Sequence, residues 1–328
     1  MRAFVTGGSG FVGRNLIQTL IARGDTVRAL ARSEKAAATV RDLGAEPIMG
    51  DLDDLDAMHE GMIGCDVVFH AAAHVYLWGD PKEFHHINVD GTRNVISAAK
   101  AAGVPRFVHV STEAVLVGGP PLVDVDESRP LPEKPIGLYS ITKGLAEKAV
   151  IEANCPELAT MAIRPPLIWG KGDTSVLPQI VQGVKDGRFM WFNGGHYRHT
   201  TTHVANVCEG LILAAEKGKG GEVYFVTDGP PKVFRWFITE VLKTQGVDVG
   251  TKSIPFGLAK AIAVLCEFVW TVLPLKGEPL LSRPILYVIG CEISVNDEKA
   301  RRDLGYEGKM SIEQGLAEMK AEAESQPT

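Results

Sequence analysis

Gly7-Gly8-Ser9-Gly10-Phe11-Val12-Gly13 follows a short apolar run and opens a segment with helical periodicity. Its G-x-G-x-x-G spacing, placed between a strand and a helix, is typical of a dinucleotide-binding site, and a flexible turn is the alternative. Such a site needs positive φ in a tight turn, a close backbone approach to the pyrophosphate, and free N–H groups at a helix N-terminus. We therefore expect the phosphates to contact Gly7, Gly10, Phe11, Val12 and Gly13.

Apolar runs alternate with helical segments outward from this motif. The runs that we interpret as buried parallel strands are residues 3–6, 26–31, 46–49, 66–70 and 106–111. The helical segments between them include residues 11–23, 55–62 and 92–101. This alternation predicts an α/β fold with a doubly wound parallel sheet of the Rossmann type.

The chain of 328 residues exceeds the size at which one hydrophobic core stops growing. We expect residues 1–170 and 196–228 to form the Rossmann body. Residues 171–195 and 229–328 hold more proline, tryptophan and irregular connections, so we expect a smaller, discontinuous C-terminal lobe that selects the substrate. The polar residues 322–328 are expected to fray.

The composition is that of an ordinary globular protein, with 45% hydrophobic residues, 23% charged residues and a net charge of -6. This acidic balance, without a basic stripe, argues against nucleic acid as a partner. The five cysteines are scattered and form no C-x-x-C pair, so we assign them neither a metal site nor catalysis. Because the N-terminus runs directly into the first strand, we expect no signal peptide and a cytoplasmic location.

The end of the second predicted strand bears on the choice of nicotinamide cofactor. Ala31 stands where an acidic residue would bind the ribose hydroxyls, while Arg32 and Ser33 could hold a 2′-phosphate. We therefore favour NADP, with NAD as the alternative if Arg32 is a solvated surface residue. Asp51, followed by Leu52, is placed to accept a hydrogen bond from the adenine amino group, although a turn-forming role for this aspartate is an almost equal alternative.

Tyr139 and Lys143 are four residues apart at the start of a helical segment, which puts phenol and ammonium on one face. A phenol with a pKa of about 10 needs help to act as a base near neutral pH. An ammonium group within about 4 to 6 Å favours the phenolate and could also hold the nicotinamide ribose. A surface pair is the alternative.

Ser111 and Thr112 end the apolar strand that precedes the tyrosine. Because the carboxyl ends of parallel strands face the ligand, a hydroxyl there can hydrogen-bond the substrate oxygen as its charge changes. A cap for the following turn is the alternative.

The sequence resembles the extended short-chain dehydrogenases, and within them the 3β-hydroxysteroid and sterol-4α-carboxylate 3-dehydrogenase branch. The resemblance spans nearly the whole chain. It is carried by the glycine motif, Phe69-His70-Ala71-Ala72-Ala73, Asn88-Val89-Asp90-Gly91-Thr92, the stretch from Tyr139 to Lys143, and Arg164-Pro165-Pro166-Leu167-Ile168-Trp169-Gly170. His203-Val204-Ala205-Asn206-Val207 and Thr227-Asp228-Gly229 favour the branch.

The resemblance implies roles for particular residues. Tyr139 would be the general acid/base, Lys143 its activator, and Thr112 the catalytic hydroxyl, with Ser111 as the adjacent alternative. On the cofactor side, the adenosine would be lined by Ala71, Ala72 and Ala73, and the nicotinamide would meet Pro165, Ile168 and the residues between them. His74, Tyr76 and Trp78 are expected along the substrate cleft, although core packing of these aromatic residues is an equal alternative.

These observations predict hydride transfer between NAD(P) and a secondary alcohol or ketone of a lipophilic substrate, with a 3β-hydroxysteroid or sterol as the first choice. The alternatives are an NADPH-dependent carbonyl reductase similar to dihydroflavonol and cinnamoyl reductases, a sugar-nucleotide epimerase, and an NADP(H)-sensing protein without turnover. The resemblance also implies a homodimer formed through the helices that flank Tyr139.

The segment 258–273 begins with Leu258, ends with Leu273 and is almost wholly apolar. At about 1.5 Å per residue it is too short for a hydrocarbon core of about 30 Å. We favour the wall of a large substrate pocket, with a peripheral membrane contact as the second interpretation and a plain core helix as the third.

Overall fold

The computed structural model describes residues 1–273, 275 and 277–325. Its strands are β1 (Arg2–Thr6), β2 (Thr26–Ala31), β3 (Glu46–Met49), β4 (Val67–His70), β5 (Arg106–Val110), β6 (Leu122–Val125), β7 (Ala159–Arg164), β8 (Leu167–Trp169), β9 (Trp191–Phe192), β10 (Arg198–His199), β11 (Thr201–His203), β12 (Val223–Phe225), β13 (Lys232–Val233), β14 (Ser253–Ile254) and β15 (Ile293–Val295).

The α-helices are α1 (Phe11–Ala22), α2 (Glu34–Asp42), α3 (Leu55–Met62), α4 (Pro81–His85), α5 (Gly91–Ala101), α6 (Leu138–Glu152), α7 (Leu177–Lys185), α8 (Val204–Lys217), α9 (Phe234–Thr244), α10 (Phe256–Val272), α11 (Arg283–Ile289), α12 (Glu298–Leu304) and α13 (Ile312–Ser325). A π-helical turn covers His86–Asp90, and 3-10 turns cover Glu113–Leu116 and Asn193–Gly195.

Within the described residues, seven strands form one parallel sheet in the order β12-β7-β5-β4-β1-β2-β3. The chain runs outward from β1 through β2 and β3, then returns to β4 on the other side of β1. The carboxyl ends of β1 and β4 therefore flank the point where the strand order reverses, which is where ligands bind in open α/β sheets. The predicted doubly wound parallel sheet is confirmed.

Helices cover both faces of this sheet and bury its apolar strands. Leu16 of α1 and Leu211 of α8 pack on one face, whereas Met58 of α3, Val95 of α5 and Val150 of α6 pack on the other. Because both faces are buried, the strands consist of consecutive apolar residues, and this pattern allowed them to be predicted from the sequence.

The remaining strands form smaller sheets beside the carboxyl edge. The largest has four strands in the order β13-β10-β15-β6 within the described part of the chain. Its strands come from distant parts of the sequence, and it packs beside clusters formed by α7, α9, α11 and α13. Two of these strands, β6 and β10, come from ranges expected to form the Rossmann body, so the division into two lobes stays a prediction. Residues 322–325 end α13 rather than fray, and residues 326–328 lie outside the described residues.

Helix α10 turns its large apolar side chains away from the protein. It buries Ala259, Ala263 and Glu267, which are spaced four residues apart, while Leu265 and Phe268 are 62% and 63% exposed. The Glu267 carboxylate fastens α10 to α11, because it accepts hydrogen bonds from the backbone N–H and the Nε of Arg283, each at 2.6 Å. The plain core interpretation of this segment is therefore wrong. No described helix has the length and apolar character needed to cross a bilayer.

Candidate active site

The glycine turn between β1 and α1 forms a cradle that side chains would fill. Gly7 has φ +72°, and a Cβ on this residue would lie 2.6 Å from the backbone nitrogen of Ala72. A Cβ on Gly13 would lie 2.1 Å from the carbonyl oxygen of Gly7. Gly10 caps α1 without a side chain, so the first backbone N–H groups of the helix, from Phe11 and Val12 onward, remain available to an anion. This turn fits the pyrophosphate of a dinucleotide.

The residues after β4 lie against this cradle. The Ala71 N–H donates to the Thr6 carbonyl oxygen at 3.2 Å, and the Ala72 N–H donates to Thr6 Oγ1 at 3.3 Å. Ala73 continues the same half-buried segment. The structure thus brings the predicted alanine stretch and the glycine turn together at the edge where the strand order reverses.

The predicted ribose and adenine residues lie at the ends of β2 and β3. Ala31 is buried, Arg32 is exposed, and Ser33 caps α2 by accepting a hydrogen bond from the Ala36 N–H at 3.2 Å. Asp51 Oδ1 accepts a hydrogen bond from the Asp53 N–H at 2.9 Å. This oxygen therefore stabilises the turn after β3, as the alternative interpretation expected. Leu52, in contrast, packs against Gly91 at the start of α5, and its contact with adenine stays a prediction.

Lys143 is almost fully buried on α6, at 2% exposure, and its ammonium group is directed towards β5. Nζ donates to the Val110 carbonyl oxygen at 2.7 Å and to Nε2 of His109 at 3.0 Å. Burial lowers the pKa of Lys143 to about 7, while the charge of Glu147 acts in the opposite direction.

Tyr139 lies half-buried in the first turn of α6, next to the 3-10 turn Glu113–Leu116. Burial, followed by the charge of Glu113, raises the pKa of its phenol, and hydrogen bonding from Thr112 acts against this shift. Lys143 does not contribute to this shift, because its ammonium group is bound to β5, and its role as the activator of Tyr139 stays a prediction. The phenol therefore keeps its proton and suits the role of a general acid.

The two candidate hydroxyls at the end of β5 have different partners. Ser111 Oγ donates to Glu147 Oε2 at 2.7 Å, and Arg164 binds the same carboxylate through Nε and Nη2 at 2.8 and 2.6 Å. Ser111 is thus part of a buried ion-pair network. Thr112 Oγ1 donates to Glu113 Oε2 at 2.7 Å and accepts from the Ala114 N–H at 3.2 Å, so it also caps the turn. Of the two hydroxyls, only Thr112 affects the pKa of Tyr139.

Four buried polar residues of the site were missed by the sequence reasoning: His109, Glu113, Glu147 and Arg164. Each is at most 4% exposed. A signal was available for two of them, because His109 and Glu113, together with Ser111 and Thr112, are the polar residues in a largely apolar stretch from Phe107 to Val117. Their contacts to α6 depend on the packing of distant segments, which the local pattern does not report.

The predicted substrate residues follow β4 on an irregular loop. The backbone of His74 exchanges hydrogen bonds with the Asn88 side chain at 2.7 and 3.1 Å, and its ring packs edge-on against Phe84. His74 is thus anchored by these contacts but only partly buried, and its place along the cleft stays a prediction. Tyr76 is 55% exposed and Trp78 is half-buried, so both remain candidates for the cleft.

The remaining predicted cofactor residues lie beyond β7. Pro165 is buried directly after β7, and Ile168 pairs with Thr202 in the short parallel sheet of β8 and β11. For metals, no group of three or more His, Cys, Asp or Glu residues in the described part of the chain is arranged to hold an ion.

Known proteins are similar to this chain over most of their length. The sequence model of the "3-beta hydroxysteroid dehydrogenase/isomerase family" matches residues 4–256, which include both the glycine turn and the stretch from Tyr139 to Lys143. The chain is 51% identical over 316 residues to the "4-hydroxy-2-methyl-3-oxo-4-farnesyl-3,4-dihydroquinoline-1-oxide ketoreductase" of Stigmatella aurantiaca, covering 96% of this chain and 95% of that protein.

Two further similarities extend the same picture. The chain is 32% identical over 325 residues to the "Sterol-4-alpha-carboxylate 3-dehydrogenase, decarboxylating" of Dictyostelium discoideum, covering 96% and 99% of the two proteins. The crystal structure of gox2253 matches with a TM-score of 0.78 and 28% sequence identity, covering 99% of both chains.

Proposed function

The chain belongs to the 3-beta hydroxysteroid dehydrogenase/isomerase family and is an NAD(P)-dependent oxidoreductase, and from this premise we propose that it reduces a ketone on a lipophilic substrate to a secondary alcohol. The observation that carries the proposal is the position of Tyr139, a half-buried phenol that keeps its proton beside the hydroxyl of Thr112. The relative from Stigmatella aurantiaca, named a ketoreductase of a farnesylated compound, supports the direction and the substrate class.

Each side chain of the site has a role in this reaction. The nicotinamide, when bound, supplies the hydride. Tyr139 donates its proton to the carbonyl oxygen, and the Thr112 hydroxyl polarises the same oxygen as negative charge develops on it. Lys143, held at the end of β5, orients the cofactor ribose. The ketone thus gains one hydride and one proton, which balances its conversion to the alcohol.

We infer that NADPH is the preferred cofactor. Arg32 is exposed beside the N-terminus of α2, and the buried Ala31 supplies no carboxylate that would repel a 2′-phosphate. A guanidinium group next to a helix N-terminus is suited to that phosphate. NAD(H) is the alternative, and it would require the ribose hydroxyls to be bound without an acidic residue at the end of β2.

The lipophilic substrate is proposed to reach the site through the lobe that contains α10 and α11. Pro284 of α11 packs against Gly137, the residue that precedes α6 and its Tyr139. On the outer side of the same unit, α10 exposes Leu258, Leu265 and Phe268. We propose that this face makes a peripheral membrane contact from which an apolar substrate is drawn, rather than forming the wall of a closed pocket.

A homodimer through α6 and its neighbouring helix α5 is a separate proposal. It is supported by Ile141 and Leu145, which are 36% and 42% exposed on the outer side of α6. Light scattering on the purified protein tests it, and the variant Leu145→Glu is expected to give monomers.

Oxidation of a 3β-hydroxysteroid or sterol is the second candidate function. It is supported by the description of the family and by the relative from Dictyostelium discoideum. The two candidates use the same residues in opposite directions, so substrate and direction distinguish them rather than the geometry of the site.

The experiment follows reduced nicotinamide by absorbance with purified protein. Substrates are farnesylated and long-chain 3-oxo compounds and steroid 3-ketones with NADPH or NADH, and 3β-hydroxysteroids with the oxidised cofactors. We expect reduction of a lipophilic ketone with NADPH, and loss of turnover with retained cofactor binding for Tyr139→Phe. Activity that survives this substitution contradicts the assigned chemistry, whereas cofactor binding without any turnover favours a sensing protein.

A further inference from the structure

Glu113 is a carboxyl group buried inside the site without a positively charged partner. The residue is 4% exposed and opens the 3-10 turn Glu113–Leu116 directly after β5. Its Oε2 accepts a hydrogen bond from Thr112 Oγ1 at 2.7 Å, and among the described residues no cation contributes to its pKa. Burying a carboxylate in this way is costly unless the group spends part of its time protonated.

Glu147, the neighbouring buried carboxyl of the site, is arranged differently. It receives two hydrogen bonds from Arg164 and one from Ser111, so it has a cationic partner and forms a structural ion pair. Glu113, in contrast, has a single hydroxyl as its side-chain donor, and burial raises its pKa to about 7. Of the two carboxyl groups, Glu113 is the one without a cationic partner among the residues that the structure describes, and its burial favours the protonated form.

The protonation state of Glu113 decides where the Thr112 hydroxyl points. In the ionised state, Thr112 donates to Glu113, so its proton is directed away from the substrate. In the neutral state, Glu113 can donate to Thr112 Oγ1, which leaves the threonine proton free for an acceptor on the opposite side. Tyr139 of α6 is the titratable group that couples to Glu113 by charge, whereas Lys143 and Glu147 on the same helix are bound to β5 and to Arg164.

We propose that Glu113 is a positioning residue that re-protonates Tyr139 through the Thr112 hydroxyl during carbonyl reduction. The inference rests on the proposed function. As the hydride reaches the carbonyl carbon, the Tyr139 O–H bond breaks and the O–H bond of the alcohol forms. The proton of Thr112 then moves to the Tyr139 oxygen, and the proton of Glu113 moves to the Thr112 oxygen. Glu113 is left as a carboxylate and takes a proton from water after the product leaves.

Ketone reduction at varied pH tests this relay, using the whole chain and NADPH. In the wild type, kcat is expected to fall as the pH rises through the range in which Glu113 loses its proton. In Glu113→Gln the amide still accepts from Thr112 but supplies no acidic proton, so we expect kcat to fall about ten-fold or more and this limb of the profile to disappear. The dissociation constant of NADPH should not change, and the exposed Glu152→Gln on α6 is the matched control.

Two Thr112 variants make the test independent of how well Glu113→Gln folds. Thr112→Ser keeps a hydroxyl, so its kcat should still fall as the pH rises. Thr112→Val interrupts the relay, so this fall in kcat should be absent. Infrared spectroscopy of the protein without cofactor should show a protonated carboxyl band below neutral pH that is absent from Glu113→Gln.

The outcomes separate this inference from the proposed function. The relay alone is overturned if the wild type reduces ketones but the fall of kcat with rising pH is still present in Glu113→Gln. It is also overturned if the wild type shows no infrared band of a protonated carboxyl group. Wild-type protein that reduces no ketone overturns both.

Discussion

Nε2 of His109 lies 3.0 Å from the ammonium group of Lys143, directly beneath the candidate site. Because an ammonium group can only donate, Nε2 accepts, and the ring proton of His109 is on Nδ1. A second imidazole, His70, lies with its ring centroid 5.1 Å away and is held between Thr6 and Thr92 at 2.7 and 2.9 Å. Both rings are therefore neutral and buried, with His109 in contact with Lys143.

This pair of neutral histidines predicts that the protein loses stability in mild acid. Burial lowers the pKa of His70 from 6.5 to about 3, and that of His109 well below 6.5. Below pH 6.5 the unfolded chain binds protons that the folded protein does not, so the free energy of unfolding falls as the pH falls towards 3. Each histidine should contribute a loss of about 1.4 kcal/mol per pH unit in this range.

Urea denaturation at about pH 7.5 and about pH 5.5 measures this loss. His70→Gln and His109→Gln each remove one titrating ring, so each should reduce the difference between the two pH values by about 1.4 kcal/mol. An unchanged difference in the double variant would contradict the assignment.

The buried ion pair of Glu147 and Arg164 predicts a large stability effect next to the site. Glu147→Gln leaves the guanidinium group of Arg164 buried without its counter-charge, which should cost about 3–5 kcal/mol of unfolding free energy. The matched control is Glu152→Gln on the same helix, whose exposed pair with Lys148 should contribute less than about 1 kcal/mol. Chemical denaturation of both variants measures the contrast, and equal effects would argue against the role of the buried pair.

The glycine cradle predicts loss of cofactor binding in Gly13→Ala. The added Cβ would lie 2.1 Å from the Gly7 carbonyl oxygen, so the turn must shift, and we expect the Kd of NADPH to rise at least about ten-fold. Gly183→Ala in α7 is the control, because its Cβ meets nothing within 4 Å and should stabilise its helix by up to about 1 kcal/mol. Fluorescence titration with NADPH measures binding. An unchanged Kd in Gly13→Ala would contradict the proposal that the glycine turn binds the cofactor.

Arg32 is expected to discriminate between the two nicotinamide cofactors. Arg32→Ala removes the proposed partner of the 2′-phosphate, so the Kd of NADPH should rise about ten-fold or more while that of NADH stays the same. Arg41→Ala, at the opposite end of α2, should change neither value. If the Kd values of NADPH and NADH rise equally in Arg32→Ala, the arginine does not bind the 2′-phosphate, and the preference for NADP loses its support.

The exposed face of α10 predicts binding to lipid vesicles. Leu265→Ser together with Phe268→Ser removes two large apolar side chains that would enter the interface, each of which contributes about 1.5–3 kcal/mol when buried. We expect vesicle affinity, measured by co-sedimentation with phosphatidylcholine and phosphatidylglycerol, to fall about 10²-fold or more. Leu55→Ser, at a leucine that is 45% exposed on α3, is the control. Equal binding by both proteins would leave α10 without a membrane role.

The fold and the family were accessible from the sequence for a local reason. A buried parallel strand is apolar on both faces, so it gives a short continuous apolar run in the sequence. The glycine turn needs residues without a side chain at fixed positions, so it too can be recognised in a short contiguous stretch. The predicted sheet and the resemblance to extended short-chain dehydrogenases are accordingly confirmed. The boundaries of the two lobes and the preference for NADP stay predictions, because no contact within the chain tests them.

The sequence by itself determined that Tyr139 and Lys143 share one helix and that two hydroxyls end β5. Only the tertiary structure decided that Ser111 binds Glu147, that Thr112 binds Glu113, and that the Lys143 ammonium group lies against His109. The physical reason is that two of these contacts join the end of β5 to α6, 36 and 34 residues further along the chain, while the contact between the neighbours Thr112 and Glu113 depends on how far packing removes water. Hydrogen-bond partners and pKa values follow from that burial, which the local residue pattern does not contain.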